Sequence, residues 1–294
     1  MSKIKGIYAA SMSVLNDDLT LNVKKTVKHV EMLIDHGCHG AAILGSTGQA
    51  QLISVAEKID LFNHLSNSKY SEKFIIGTGL NSLGEIINLM TVARSLKFKR
   101  FLIMPPAFYK YGDDDVIKFY TKIVEAIPEC EIVLYNFEKL CGYKFSVECV
   151  QELAKRFPEQ IVGVKDSSYN LFENLKLENF SVLPGSESKL LKGLELGCSG
   201  IITATCNVSS ILARKVYDDF LNGKEQTVNQ KLCDVRNTFE KYNLISGLHI
   251  YYSINDPIYK NVLPPLSILN SKDEKELINN LEKLNFSTKK MMVP

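Results

Sequence analysis

The chain carries almost no excess charge. Over 294 residues, 35 Lys and Arg stand against 33 Asp and Glu, a formal net charge of +2. With so small an imbalance and no basic block, the electrostatic footprint of a nucleic-acid-binding surface is missing. Cysteine pairing is missing as well. The seven cysteines, an odd number, lie at 38, 130, 141, 149, 198, 206 and 233, and no two have CxxC spacing. Several sit in apolar runs, as in Gly197-Cys198-Ser199-Gly200-Ile201, which suits buried, reduced thiols and not a disulfide framework or zinc site. The five histidines (29, 36, 39, 64, 249) form no ligand cluster, and Gly37 reads as a helix end between His36 and His39, so no metal is expected. There is no signal-peptide-like start and no apolar run of membrane-spanning length, so a cytoplasmic location is expected. Nucleotide-binding loops are also lacking: no GxGxxG pattern and no glycine loop ending in Gly-Lys-Ser/Thr.

What is present is ordinary in amount, 45% hydrophobic and 23% charged, but regular in arrangement. Short apolar runs at residues 4–10, 40–44, 74–77, 100–104, 131–135, 161–165, 180–183 and 200–203 read as strands. Amphipathic segments at 20–36, 54–67, 82–96, 113–126, 146–156, 169–177, 187–196 and 207–221 read as helices between and after them. Val23, Val27, Val30 and Ile34 show the helical period, Ser54 with Glu57 and Ser82 with Glu85 look like capping boxes, and Gly37 and Gly197 suit left-handed helix ends. Strands apolar on both faces, each followed by a helix, mean a parallel sheet. Eight such units predict an α/β fold, a closed (β/α)8 TIM barrel over residues 1–222. Residues 223–294 break the pattern and read as a helical C-terminal appendage, with helices at 224–245 and 272–285 and Pro257, Pro264 and Pro265 between them.

Barrel sites form where the strand C-termini meet. The sixth strand runs Ile161-Val162-Gly163-Val164 into Lys165. A buried lysine favours its neutral amine, a nucleophile toward ketones. Tyr135 ends the neighbouring strand and is placed to carry protons. Gly45-Ser46-Thr47-Gly48 ends the second strand, where hydroxyls and backbone N–H groups at a glycine turn suit a carboxylate. Gly185 and Glu187 follow the seventh strand, and Thr203 ends the eighth. Each feature has a plain alternative. Lys165 taken alone reads more readily as a surface lysine that begins a loop, and Asp166 is placed to hold it inert in an ion pair. Tyr135 reads as a packing residue, and the glycine tetrapeptide as a tight turn. Their co-occurrence on the tips of one barrel favours the chemical reading, and no Ser-His-Asp arrangement or adjacent carboxylate pair competes with it.

These residues resemble the superfamily of N-acetylneuraminate lyase and dihydrodipicolinate synthase, class I aldolases that work through a lysine Schiff base. The matching pieces are Gly45-Ser46-Thr47-Gly48, Tyr135-Asn136 with Gly142, Gly163-Val164-Lys165-Asp166 and Gly185-Ser186-Glu187. The resemblance implies that Lys165 forms an imine with pyruvate or another 2-oxo acid, without metal or organic cofactor. It implies that Tyr135 shuttles protons and that Thr47 links it to a tyrosine from a neighbouring subunit, Tyr109 in preference to Tyr111. Ser46, Thr47 and Gly48 would hold the substrate carboxylate, with Leu140, Ser167, Gly185, Glu187 and the Thr203 carbonyl lining the rest of the site. A homotetramer built as a dimer of dimers is implied too, with a 2-oxo acid and an aldehyde as small-molecule partners. Leu140 departs from the synthases, which carry an arginine there for the carboxylate of aspartate semialdehyde; losing a bidentate partner is costly. The lyases' second sugar-binding carboxylate is Ser188 here. The expectation is therefore a pyruvate aldolase acting on a 2-keto-3-deoxy sugar acid or similar hydroxylated 2-oxo acid. A dihydrodipicolinate synthase, an N-acetylneuraminate lyase and an inactive 2-oxo-acid-binding barrel are the alternatives.

Overall fold

Eight runs of four to six residues, almost wholly buried, extend because both of their faces are covered. In the computed structural model, which describes residues 4–286, they are β1 (Gly6–Ala10), β2 (Gly40–Ile43), β3 (Phe74–Gly77), β4 (Arg100–Ile103), β5 (Glu131–Asn136), β6 (Ile161–Asp166), β7 (Ser181–Pro184) and β8 (Gly200–Thr203). They form one parallel sheet in the order β7-β6-β5-β4-β3-β2-β1-β8. A backbone hydrogen bond from Ser199 N–H to the Val182 carbonyl, 2.9 Å, brings the two ends together, so the sheet is a nearly closed (β/α)8 barrel. Side chains alternate. Tyr8, Ala42, Ile75, Leu102, Val133, Leu183 and Ile202 fill the interior. Ile7, Ile43, Ile76, Phe101, Leu134, Val164 and Ile201 face the helices. Where β1 meets β8, Gly6 pairs with Gly200, and a β-carbon on Gly200 would lie 1.9 Å from the Gly6 carbonyl oxygen. Its φ of +143° is also one that side chains resist, so glycine is required at this seam.

The helices are α1 (Val23–Asp35), α2 (Val55–Leu65), α3 (Leu83–Ser95), α4 (Asp113–Ala126), α5 (Glu138–Cys141), α6 (Val147–Arg156), α7 (Leu190–Glu195), α8 (Cys206–Leu221), α9 (Asn229–Glu240), α10 (Leu244–Ser253) and α11 (Ser271–Lys283). Ser54 and Glu57 form the full capping box at α2; at α3 Ser82 Oγ accepts from Glu85 N–H, 3.4 Å. No helix among the described residues is long and apolar enough to cross a membrane.

Two expected helices are corrected. Residues 169–177 are turns, because the buried Asp166 carboxylate takes the N–H groups of Tyr169, Leu171 and Phe172 that a helix would leave to its own first turn. A cavity of about 380 Å³ beside this connection is lined by Phe172, Leu175, Phe180, Val182, Leu196 and Cys198. Residues 224–245 are not one helix. The chain breaks after α9, and Asn243 starts α10 by accepting from Ile245 N–H and Ser246 N–H at 3.1 and 3.2 Å. The short α5 was not expected, and the final eight residues of the appendage lie outside the described residues.

The appendage is bound to the barrel through buried histidines. His29 on α1 donates from Nε2 to Asn207 Oδ1, 2.9 Å, and its Nδ1 accepts from Tyr259 Oη, 2.9 Å. His249 on α10 donates from Nδ1 to the Tyr259 carbonyl, 2.7 Å, and its Nε2 accepts from Gln49, 3.4 Å. Both rings are neutral, since burial lowers each to about 4 from the ordinary 6.5. Between those values the unfolded chain binds the extra protons, so stability is full above pH 6.5 and falls as pH drops toward 4. The loss approaches about 3 kcal/mol per ring at the low end. Urea midpoints at pH 7.5, 6 and 5 should decline in that order; an unchanged midpoint from pH 7.5 to 5 would refute the assignment.

Candidate active site

The two carboxyl-terminal residues of β6 point opposite ways, and a bulge decides which points inward. β6 pairs with β5 as Ile132↔Ile161 and then Val133↔Gly163, so Val162 is an extra residue. Slipping a strand by one residue exchanges its faces. Here the slip brings Lys165 level with Tyr135 on β5 and Leu183 on β7, inside the barrel, and puts Asp166 outside. Lys165 is 3% exposed, with Nζ 4.1 Å from the centroid of the Tyr135 ring. The Tyr135 hydroxyl lies 3.0 Å from Ser46 Oγ. Amine, phenol and alcohol thus follow one another across the barrel mouth. That sequence can attack a carbonyl and then pass protons to and from it.

Asp166 does not clamp Lys165. Its carboxylate accepts from Asn136 Nδ2 (2.8 Å) and from the backbone N–H groups of Tyr169, Leu171 and Phe172 (2.9, 2.9 and 3.0 Å). Burial pushes the carboxyl above its ordinary range, and these hydrogen bonds oppose that push. Asn136, wholly buried, also donates to Asn170 Oδ1 and accepts from Phe145 N–H. The two residues fix the loop that leaves β6.

The structure brings the expected site residues to the same end of the barrel. The hydroxyl that meets Tyr135 belongs to Ser46, not to Thr47, which is buried beside it. Leu140 stands on α5 at the rim and is 43% exposed. The position of α5 is set by Ser168, whose Oγ accepts from Glu138 N–H at 2.9 Å. Ser167 packs on Gly185 so closely that a β-carbon there would be 2.3 Å from Ser167 Oγ. Tyr111 donates its hydroxyl to the Pro106 carbonyl of its own chain and is pushed up to about 12 by burial. Tyr109 is 78% exposed on the same loop, next to the still more exposed Phe108.

Glu187 is where the structure departs most from expectation. Its carboxylate is wholly buried and turned into the protein, accepting from Thr203 and Thr205 hydroxyls at 2.8 Å and from Ser209 at 3.3 Å. Arg236 Nη1 lies 3.3 Å away. The Thr203 side chain likewise points outward to this network. Gln49 has a left-handed backbone (φ 56°) and joins the Gly45–Gly48 turn to the appendage. It accepts from Leu263 N–H at 2.7 Å and meets His249. Arg236 and His249 were missed from sequence. Arg236 with Glu240 four residues on looks like a solvated helix pair, and nothing in the pattern marks His249.

The residues that converge here carry the signature of a known family. The Dihydrodipicolinate synthetase family model matches residues 3–284. The chain belongs to that family. It is 30% identical over 230 residues to the 4-hydroxy-tetrahydrodipicolinate synthase of Methanopyrus kandleri, covering 75% of each chain. It is equally 30% identical over 230 residues to the N-acetylneuraminate lyase of Pasteurella multocida, covering 76% of this chain and 78% of that one. Its fold matches YagE, an E. coli K12 prophage protein of the dihydrodipicolinic acid synthase family solved in complex with pyruvate. The TM-score is 0.86 at 21% identity, over 97% of this chain and all of that one. Members with a synthase name and with a lyase name are thus equally similar, and the family does not choose the substrate.

Replacing Asp166 with Ala would leave two buried N–H groups, those of Leu171 and Phe172, and the half-buried one of Tyr169 without their acceptor. A loss of about 3 kcal/mol in urea unfolding is expected; a loss under about 0.5 kcal/mol, the level of an ordinary surface change, would show that Asp166 does not organise the loop.

Proposed function

We propose that the protein is a class I, pyruvate-dependent carbon–carbon lyase in which Lys165 forms the imine. The observation that carries this reading is the buried Lys165 amine over the Tyr135 ring, with Tyr135 bonded to Ser46. The Lys165 amine adds to the C2 carbonyl of a 2-oxo acid, and Tyr135 gives its proton to the hydroxyl that departs as water, which leaves a protonated imine and a Tyr135 phenolate. The C4 hydroxyl gives its proton to the Tyr135 phenolate, and the C3–C4 bond breaks. Its electrons enter the imine, so the aldehyde leaves and a pyruvate enamine remains. Tyr135 returns the proton to C3, and water hydrolyses the imine to pyruvate and free lysine. The imine is the electron sink, so this scheme needs no metal or organic cofactor. Removing the phenol as Tyr135→Phe removes the acid and base, worth about 10²–10⁴ in rate.

In this reading the carboxylate of the 2-oxo acid sits at Ser46, Thr47 and Gly48. The substrate is a hydroxylated 2-oxo acid of the 2-keto-3-deoxy sugar acid type. Leu140 at the rim offers no cation to a second carboxylate, which speaks against aspartate semialdehyde as acceptor. With Glu187 turned inward, hydroxyl recognition falls to the rim serines, Ser167 foremost. Tyr109 reaches a neighbouring subunit of a homotetramer; its exposure and the internal bond of Tyr111 support that choice. Residues 1–222 form the barrel unit and 223–294 the appendage, and seven free cysteines suit the reducing cytosol.

Incubation with pyruvate and borohydride should add one reduced pyruvate, located on Lys165 by peptide mass, and Lys165→Met should abolish it. An adduct on another lysine, or none, would overturn the reading. With aldehydes supplied in the condensation direction, turnover should favour hydroxylated aldehydes. Comparable turnover with aspartate semialdehyde would overturn the inference from Leu140.

A further inference from the structure

Arg236 lies outside the barrel sequence, on α9, yet it is buried against the tips of β7 and β8. Its Nη1 donates to Thr203 Oγ1 and Thr205 Oγ1, both 3.0 Å, and reaches Glu187 at 3.3 Å. Its Nε donates to Glu240 Oε1 at 2.8 Å. The two threonine hydroxyls in turn donate to Glu187. Thr203 closes β8 at the same end of the barrel as Lys165. A wholly buried carboxylate is thus held off the mouth by one guanidinium. We propose that Arg236 is a positioning residue of the pyruvate site, which keeps Glu187 and the Thr203–Thr205 strand tip locked so that no uncompensated negative charge adjoins the bound 2-oxo acid. This rests on the imine reading above.

The physics is that of a buried pair. Removing one partner leaves the other charge uncompensated, whereas removing both charges does not. In Arg236→Met, Glu187 has only uncharged hydroxyl and thiol donors left and is free to turn toward the mouth, where it repels the pyruvate carboxylate. Glu187→Gln in the same chain removes that charge. The damage should therefore appear in KM and be reversed by the second substitution, which a merely structural role would not produce.

Exchange of the pyruvate C3 protons for deuterium, followed by NMR, reads imine and enamine formation without any aldehyde. Arg236→Met should raise the KM for pyruvate about tenfold while kcat stays within about threefold, and Arg236→Met/Glu187→Gln should return KM to within about threefold of wild type; this tenfold is a factor of about 1.4 kcal/mol in binding. Arg236→Lys keeps a cation but not the fork, and should give an intermediate KM even if the methionine variant does not fold. An unmoved KM in the folded variants, or a double variant no better than Arg236→Met, overturns the proposal while the wild type still exchanges. A wild type that does not exchange overturns the imine reading itself.

Discussion

A lysine amine held inside a barrel of apolar side chains is the constraint on which the remaining arrangement depends. A buried nitrogen of this kind is tolerated where the fold supports it with polar contacts or an aromatic face. Here the support is local. The β6 bulge turns Lys165 inward, the Tyr135 ring lies under its nitrogen, and Asp166 is kept on the opposite face by four hydrogen bonds. Had the bulge been absent, the same strand would point Asp166 into the barrel and Lys165 at the helices. The unwound β6–β7 connection follows from this arrangement, because the donors that would begin a helix are those Asp166 captures.

The helical appendage secures the mouth at three points. Gln49 and His249 hold the Gly45–Gly48 turn, Tyr259 acting through His29 and Asn207 holds the end of β1 and the start of α8, and Arg236 holds the tips of β7 and β8. Each contact is buried and polar, so each is directional, and the loops that would carry a substrate are set by residues distant in sequence. Gln49 is a useful case. Its left-handed backbone and paired amide make this residue next to the site a fastener.

The barrel was legible in the sequence because strands covered on both faces must be apolar runs, and all eight were located to within two residues at either end. Their tips were legible for the same reason: a lysine or tyrosine that closes such a run is placed by it. Less local features were not legible. Ser46 and Thr47 are adjacent hydroxyls, and the left-handed Leu44 (φ 56°) before them breaks the strand alternation that would have told them apart. The helix expected at 169–177 has the right periodicity and fails because of one carboxylate. The break at Asn243 carries no proline or glycine. Glu187 kept its place at the tip of β7, but its direction is set by Arg236, forty-nine positions away in the chain.

The central claim is that the Lys165 nitrogen is the atom that bonds to substrate. A crystal structure of the protein soaked with pyruvate tests it directly. Continuous density should join Lys165 Nζ to C2 of pyruvate, with the carboxylate on the Ser46–Gly48 turn and the Tyr135 hydroxyl beside the new bond. Pyruvate bound without that bond, or bonded to a different lysine, would contradict the account.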